Sequence, residues 1–303
     1  MPGRILLVPL VLVLALCVLV LCAPAAGQTP TPAPPPGRVE VFGGFSLVAP
    51  RVDSTLTTAY APTFRNATAT SSSAGQTLQL SSETGYGVEL GVNYFVTDVV
   101  GLQVLFGADR FDLGGSNGPY TARLEYISRM PPDSTPHPAV AYRLEKWPDT
   151  VGQLKQRTLS VNVVGRWPLG QRVVGQVSGG LSYFRMDGLV SPVGYSSFSL
   201  GGHSVLFYDR YELEVALDAA HAFGINAGAA VDVELSRAVA LTADFRYFTG
   251  GTITSPVAVT QILNEEEVIM LDPLETIEET LRPPPVELKP TRARFMAGIK
   301  VRF

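Results

Sequence analysis

Residues 292–303 read RARFMAGIKVRF and alternate without a break. Ala293, Phe295, Ala297, Ile299, Val301 and Phe303 fall on one face of a strand, and Arg294, Met296, Gly298, Lys300 and Arg302 on the other. One apolar face backed by one charged face suits a sheet with lipid outside and a polar interior. Seven more segments carry the same period: 38–49, 84–97, 102–111, 157–167, 173–184, 223–235 and 239–248. Each is about ten to twelve residues, the length of a tilted membrane strand. None contains a proline, as an unbroken hydrogen-bond ladder requires.

The spacing between these segments is the second signal. Residues 98–101, 168–172 and 236–238 are tight turns. The other four connections, about 50–83, 112–156, 185–222 and 249–291, are far longer than ordinary loops. Short turns alternating with long connections predict an all-β fold. The expected fold is an eight-stranded antiparallel up-and-down transmembrane β-barrel with short periplasmic turns and long outer loops.

The N-terminus has the order of a secretory signal over residues 1–27: Arg4, an apolar run from Ile5 to Cys22, then small residues with cleavage expected after Gly27. A retained membrane anchor is the competing reading, since the run approaches spanning length. Small residues and a proline after it favour removal. Cys17 and Cys22 both lie in this segment, and Leu21 is bulky for a lipid-attachment site at Cys22. The mature chain is then expected to hold no disulfide and no cysteine-bound metal. Residues 28–37 (QTPTPAPPPG) form a proline-rich periplasmic tether, and the barrel is expected over 38–303. A net charge of −4 with scattered cations predicts no nucleic-acid partner.

Parity sorts the side chains. The apolar face carries aromatics at both strand ends: Phe45, Tyr86, Phe106, Tyr183, Phe223, Tyr247 and Phe295 toward the long connections, and Tyr94, Trp167 and Phe303 toward the short turns. Two rings of aromatics around an aliphatic band are what membrane interfaces select. The opposite face holds Glu40, Glu89, Asn93, Gln103, Asp109, Asn162, Arg166, Gln176, Ser178, Asn226, Asp232, Glu234, Thr242, Asp244, Arg246, Arg294 and Lys300, with Arg292 and Arg302. An eight-stranded barrel is filled by its own side chains, so these charges are expected to pair in a structural network, with a gated ion or proton path as the alternative.

With this strand count, loop asymmetry, and glycines at Gly44, Gly87, Gly91, Gly107, Gly180, Gly228 and Gly298, the chain resembles the small outer-membrane barrels of Gram-negative bacteria, of OmpA-transmembrane and OmpX-like architecture. In that family a terminal aromatic on an amphipathic last strand resembles the signal read by the barrel-assembly machinery; Phe295, Ile299, Val301 and Phe303 match it. The resemblance places the protein in the outer membrane, among lipid and lipopolysaccharide. No peptidoglycan-binding domain follows Phe303, so that family role is not expected.

Catalytic signals are thin. His137, His203 and His221 fall in predicted loops or at a strand edge, and pairing His203 with Ser204 or His221 with Asp218 rests on sequence adjacency alone. No cofactor is expected. Asn264 and Asp272, each with an acid three residues on, read as starts of short acidic helices over the barrel mouth. Glu265, Glu266, Glu267, Asp272, Glu275, Glu278 and Glu279 lack calcium-loop spacing and read as a solvated face. Residues 211–218 alternate again, so the sixth strand projects beyond the membrane or the barrel has ten strands.

The expected function is non-enzymatic: an envelope barrel with a plugged polar interior, whose outer loops make surface, adhesion or host contacts. The alternatives are a barrel enzyme of lipid A deacylase or omptin type, a narrow channel, and a soluble lipocalin-like binder.

Overall fold

The computed structural model describes residues 38–51, 53–60, 71–117, 120–129, 136–145, 149–201, 205–266 and 285–303. The segments expected to be the signal, 1–27, and the tether, 28–37, lie outside them. The described residues form fifteen strands and no helix. Eight close a ring: β1 (Val39–Pro50), β4 (Gly85–Phe95), β5 (Val100–Asn117), β8 (Thr150–Pro168), β9 (Val173–Gly201), β10 (Val205–Glu234), β11 (Val239–Gly250) and β15 (Arg292–Arg302). Each pairs antiparallel with its neighbours in chain order, and β15 returns to β1, where the Phe303 amide donates to the Val39 carbonyl at 2.9 Å.

The registers define the barrel. From Val39 the paired residues are Tyr94, Leu102, Val163, Gly179, Ala227, Tyr247 and Ala293, and the path re-enters β1 at Ala49, ten residues higher. Eight strands with that stagger tilt by roughly 40° and leave a tube just wide enough for side chains. The three short turns are built locally. Thr97 Oγ1 accepts from the Val99 and Val100 amides, and Ser236 Oγ accepts from those of Ala238 and Val239.

Apolar side chains of the lower barrel face outward: Phe45 is 81% exposed, Leu181 70% and Phe223 77%. Glu40, Glu89, Asn93 and Asp232 are wholly buried inside. Water-filled surroundings would drive the opposite arrangement, so the wall is that of a transmembrane barrel.

Above this zone the polarity inverts. The four long connections are present, but most of their described residues are strand. β5, β8, β9 and β10 run well past the expected ends, and β10 alone is 30 residues. Around them stand β2 (Asp53–Tyr60), β3 (Ser71–Ser82), β6 (Tyr120–Arg129), β7 (Pro136–Glu145), β12 (Ile253–Ser255), β13 (Val257–Glu266) and β14 (Val286–Leu288). β3 pairs with upper β5, β2 with β3, and β13 with upper β10, so columns of the ring continue upward. Here the inward side chains are apolar: Leu56, Leu80, Leu113, Leu154, Val190, Val193, Leu213, Val215, Leu217 and Val259 form one core. This half is folded as a water-soluble protein is.

One extra residue on β10 between Leu217 and Ala220 switches its parity. Tyr211, Leu213, Val215 and Leu217 point inward above it, and Ala220, Ala222 and Asn226 below. Residues 211–218 therefore belong to the sixth ring strand, and the ring has eight strands. Asn264 to Glu266, expected to begin a helix, end β13 instead, because pairing with β10 supplies the backbone partners a helix would have needed. The second expected helix start, at Asp272, lies outside the described residues, as do Glu267, Glu275, Glu278 and Glu279.

Candidate functional site

The candidate site is the lumen of the lower barrel. Three polar tiers fill it. At the turn end, Glu40 from β1 accepts from Arg166 Nη1 at 2.9 Å and lies 3.2 Å from Arg302 Nε. Gln176 Nε2 bridges Glu40 Oε2 at 3.1 Å and Asp232 Oδ2 at 2.9 Å. Lys300 Nζ binds Asp232 at 2.8 Å, and Arg302 also binds Glu234. The Arg166 guanidinium rests 3.6 Å above the Phe95 ring, and Lys300 lies 5.1 Å from that of Phe42.

The middle tier is a ladder of amides along one register row. Asn93 donates to Glu40 at 2.9 Å, Gln103 to Asn93 at 3.0 Å, Asn162 to Gln103 at 3.0 Å, and Asn226 to Asn162 at 2.8 Å. Each amide donates one way and accepts the other, so the bonds polarise in a common sense around the wall. Arg246 closes the tier, donating to Asn226 at 2.6 Å, Gln103 at 3.1 Å, Ser178 at 2.9 Å and Asp244 at 3.1 Å.

In the top tier Arg294 bridges Glu89 and Asp109. Arg292 reaches the same Asp109 oxygen at 3.0 Å and Thr158 at 2.6 Å. Gly107 leaves the space that Arg294 occupies: a Cβ there would lie 2.3 Å from Nη2. Arg292 also stands 4.2 Å over Phe248 and 5.5 Å from Phe184. These two rings end the polar lumen and join the apolar core above.

Six acids (Glu40, Glu89, Asp109, Asp232, Glu234, Asp244) thus face six bases (Arg166, Arg246, Arg292, Arg294, Lys300, Arg302) in one connected lumen. A single buried ion left alone would cost several kcal/mol, so the pairing is a condition of folding. Sequence reasoning placed these charges inside but missed Phe42, Phe95, Phe184 and Phe248. A signal was available: Tyr94-Phe95, Tyr183-Phe184 and Tyr247-Phe248 are doublets whose tyrosine faces out and whose phenylalanine faces a guanidinium.

On the outer wall Phe45, Tyr86, Tyr94, Phe106, Trp167, Phe223, Tyr247 and Phe303 are exposed, and Tyr183 and Phe295 are half-exposed. Ile299 is exposed and Val301 half-exposed on the β15 face that Phe303 ends. His221 faces outward, its Nδ1 2.6 Å from the Tyr183 hydroxyl. Among the described residues no hydrogen bond or ion pair joins it to Asp218. His137 lies in β7, and His203 is outside the described residues.

Wall and contents together define an eight-stranded up-and-down transmembrane barrel with a filled polar lumen and an apolar-cored outer extension. No protein-family model matches the sequence, and no curated protein matches it. Among solved structures, the chain is similar to the attachment invasion locus protein Ail of Yersinia pestis, at 10% identity over 88% of this chain and 99% of that one, with a TM-score of 0.33. It is also similar to the outer membrane protease OmpT of Escherichia coli, at 6% identity over 87% and 97% of the chains, with a TM-score of 0.37. At these scores the fold assignment rests on the strand registers of this chain.

Proposed function

We propose that this protein is a non-enzymatic barrel of a Gram-negative outer membrane, belonging with the small outer-membrane barrels. Its filled lumen serves as a structural plug, and its outer extension makes contacts beyond the lipid surface. The observation that carries this reading is the paired inversion of polarity: apolar wall outside over neutralised charge inside in the lower half, the reverse in the upper half. The boundary between the two falls where the membrane surface would lie. On this reading lipid and lipopolysaccharide surround the lower wall. The barrel-assembly machinery reads the β15 face of Phe295, Ile299, Val301 and Phe303, and the outer extension meets an extracellular ligand or a host surface.

The test combines location with closure. The protein is expected in the outer-membrane fraction, with gel mobility that shifts on boiling, as a closed barrel's does. It is expected to give no steady conductance in planar bilayers and no lipid A modification or peptide cleavage. Recovery from the aqueous phase without detergent would overturn the membrane reading. An activity lost on His221→Ala substitution would overturn the non-enzymatic one.

A further inference from the structure

The polar lumen and the apolar core meet at one layer of aromatic side chains. Phe184 of β9 and Phe248 of β11, both fully buried, meet edge-on with ring centroids 6.1 Å apart and planes at 78°. Gly224 and Gly250, register partners on β10 and β11, leave the room that Phe184 occupies: a Cβ on the first would lie 2.9 Å from its Cε2, and one on the second 3.1 Å. Because register rows climb with the barrel stagger, buried Val48 of β1, Phe111 of β5, Leu154 of β8, Met186 of β9 and Ala222 of β10 gather at about the same height. Every buried charged side chain among the described residues belongs to the lumen below this layer.

Hydrogen bonding differs on its two sides. Below, Glu89 Oε1, Asp232 Oδ1, Asp244 Oδ1, Thr242 Oγ1, Arg246 Nε and Arg294 Nε are buried with no hydrogen-bond partner among the described residues. Buried polar atoms of this kind call for water. Above, the hydroxyls of Ser54, Thr150 and Ser255 are buried and each donates to a backbone carbonyl: Ser54 to Glu287, Thr150 to Pro192 at 2.9 Å, and Ser255 to Asp218 at 2.7 Å. The lumen is thus suited to water, and the interior above it to staying dry. An apolar constriction expels water, and an ion entering it loses its hydration with nothing to replace it.

We propose that this aromatic layer, and not the ion-pair network beneath it, is the permeability barrier of the barrel. Water and small ions enter from the turn end, where the Glu234 side chain is 21% exposed, and stop under Phe184 and Phe248. The ion pairs hold the lumen in shape, and the layer seals it. The inference rests on the membrane reading above and says which part of the filled interior closes it.

Two inward alanines of β10 make a matched pair for the test: Ala230 is the register partner of Gln176 in the lumen and Ala222 that of Phe184 in the layer, and both are 9% exposed. In the full chain with Cys17→Ser and Cys22→Ser, Ala230→Cys and Ala222→Cys are introduced singly, folded into detergent and scored by heat-modifiable mobility. Silver ion is then added, and the thiols it leaves free are counted by alkylation after unfolding. Ala230→Cys is expected to react at least tenfold faster than Ala222→Cys, and adding Phe184→Ser is expected to bring the second rate within threefold of the first. In planar bilayers Phe184→Ser with Phe248→Ser is expected to conduct at least tenfold above the unsubstituted chain, while Glu89→Gln with Arg294→Met stays closed. Equal silver rates at the two positions, steady conductance from the ion-pair variant, or a folded aromatic variant that stays closed would overturn the barrier while leaving the barrel in the membrane. Should the aromatic pair fail to fold, the silver rates of the two single variants decide the matter. A chain that fails to insert into phosphatidylcholine vesicles overturns the membrane reading and this inference with it.

Discussion

Asn226 of β10 donates its side-chain amide to the Asn162 carbonyl oxygen of β8 at 2.8 Å, reaching across the intervening strand at Gly180. Both asparagines are register partners of that glycine, so the bond exists because β9 presents no side chain there. A Cβ on Gly180 would lie 2.7 Å from Asn162 Oδ1 and 2.1 Å from the Val161 carbonyl oxygen. Gly180→Ala is therefore expected to break the ladder by overpacking and to destabilise the barrel by about 1–3 kcal/mol. The measurement is the urea midpoint of the heat-modifiable form; an unchanged midpoint would refute the role given to Gly180.

Arg294 answers two buried acids, Glu89 and Asp109, whereas Asp109 also has Arg292. Arg294→Met leaves Glu89 as the uncompensated charge, with an expected loss of about 3–5 kcal/mol. Adding Glu89→Gln to that variant is expected to recover much of it, since the remaining pair of Asp109 and Arg292 is neutral. A double-mutant cycle on folding in detergent checks the coupling, and additive losses would mean that the two residues do not interact.

Leu181 stands on the exposed face of the lower wall, and Ala258 on the exposed face of β13 in the outer extension. Leu181→Arg, one outward row below Tyr183 of the aromatic ring, is expected to cost about 1–2 kcal/mol, between the interfacial and mid-membrane values. Ala258→Arg, on a face that meets water, is expected to change stability by no more than about 0.5 kcal/mol. Comparing the folded fraction of each variant in vesicles tests where the lipid boundary falls.

Leu213 is fully buried in the apolar core of the extension, far along β10 from the ion pairs of the lumen. Leu213→Ala is expected to weaken that core by about 2–5 kcal/mol. Limited proteolysis should then cut the outer part of β9 or β10 while a heat-modifiable lower barrel survives. Simultaneous loss of both halves would show that they fold as one unit.

Much of the lower barrel could be read before any tertiary contact was known. Residues 292–303 declare their two faces, and the alternation of 84–97 and 239–248 places Glu89, Asn93, Asp244 and Arg246 inside. The outer extension was harder. Residues 50–83 and 249–266 have little consistent alternation, and their strands β3 and β13 exist because they find exposed edges on β5 and β10 to pair with. The acidic start at Asn264 satisfied a local rule for helices, and the long-range ladder to β10 overrode it.

Alternation along each strand, which is a property of covalent geometry, settled by itself that the chain forms a sheet with one apolar and one charged face, and turn chemistry settled which segments are neighbours. Which acid meets which base, which glycine admits a neighbour's side chain, and where the interior turns from ionic to apolar depend on a ten-residue stagger around the closed ring. No single strand contains that quantity, because it arises only when the last strand hydrogen-bonds to the first.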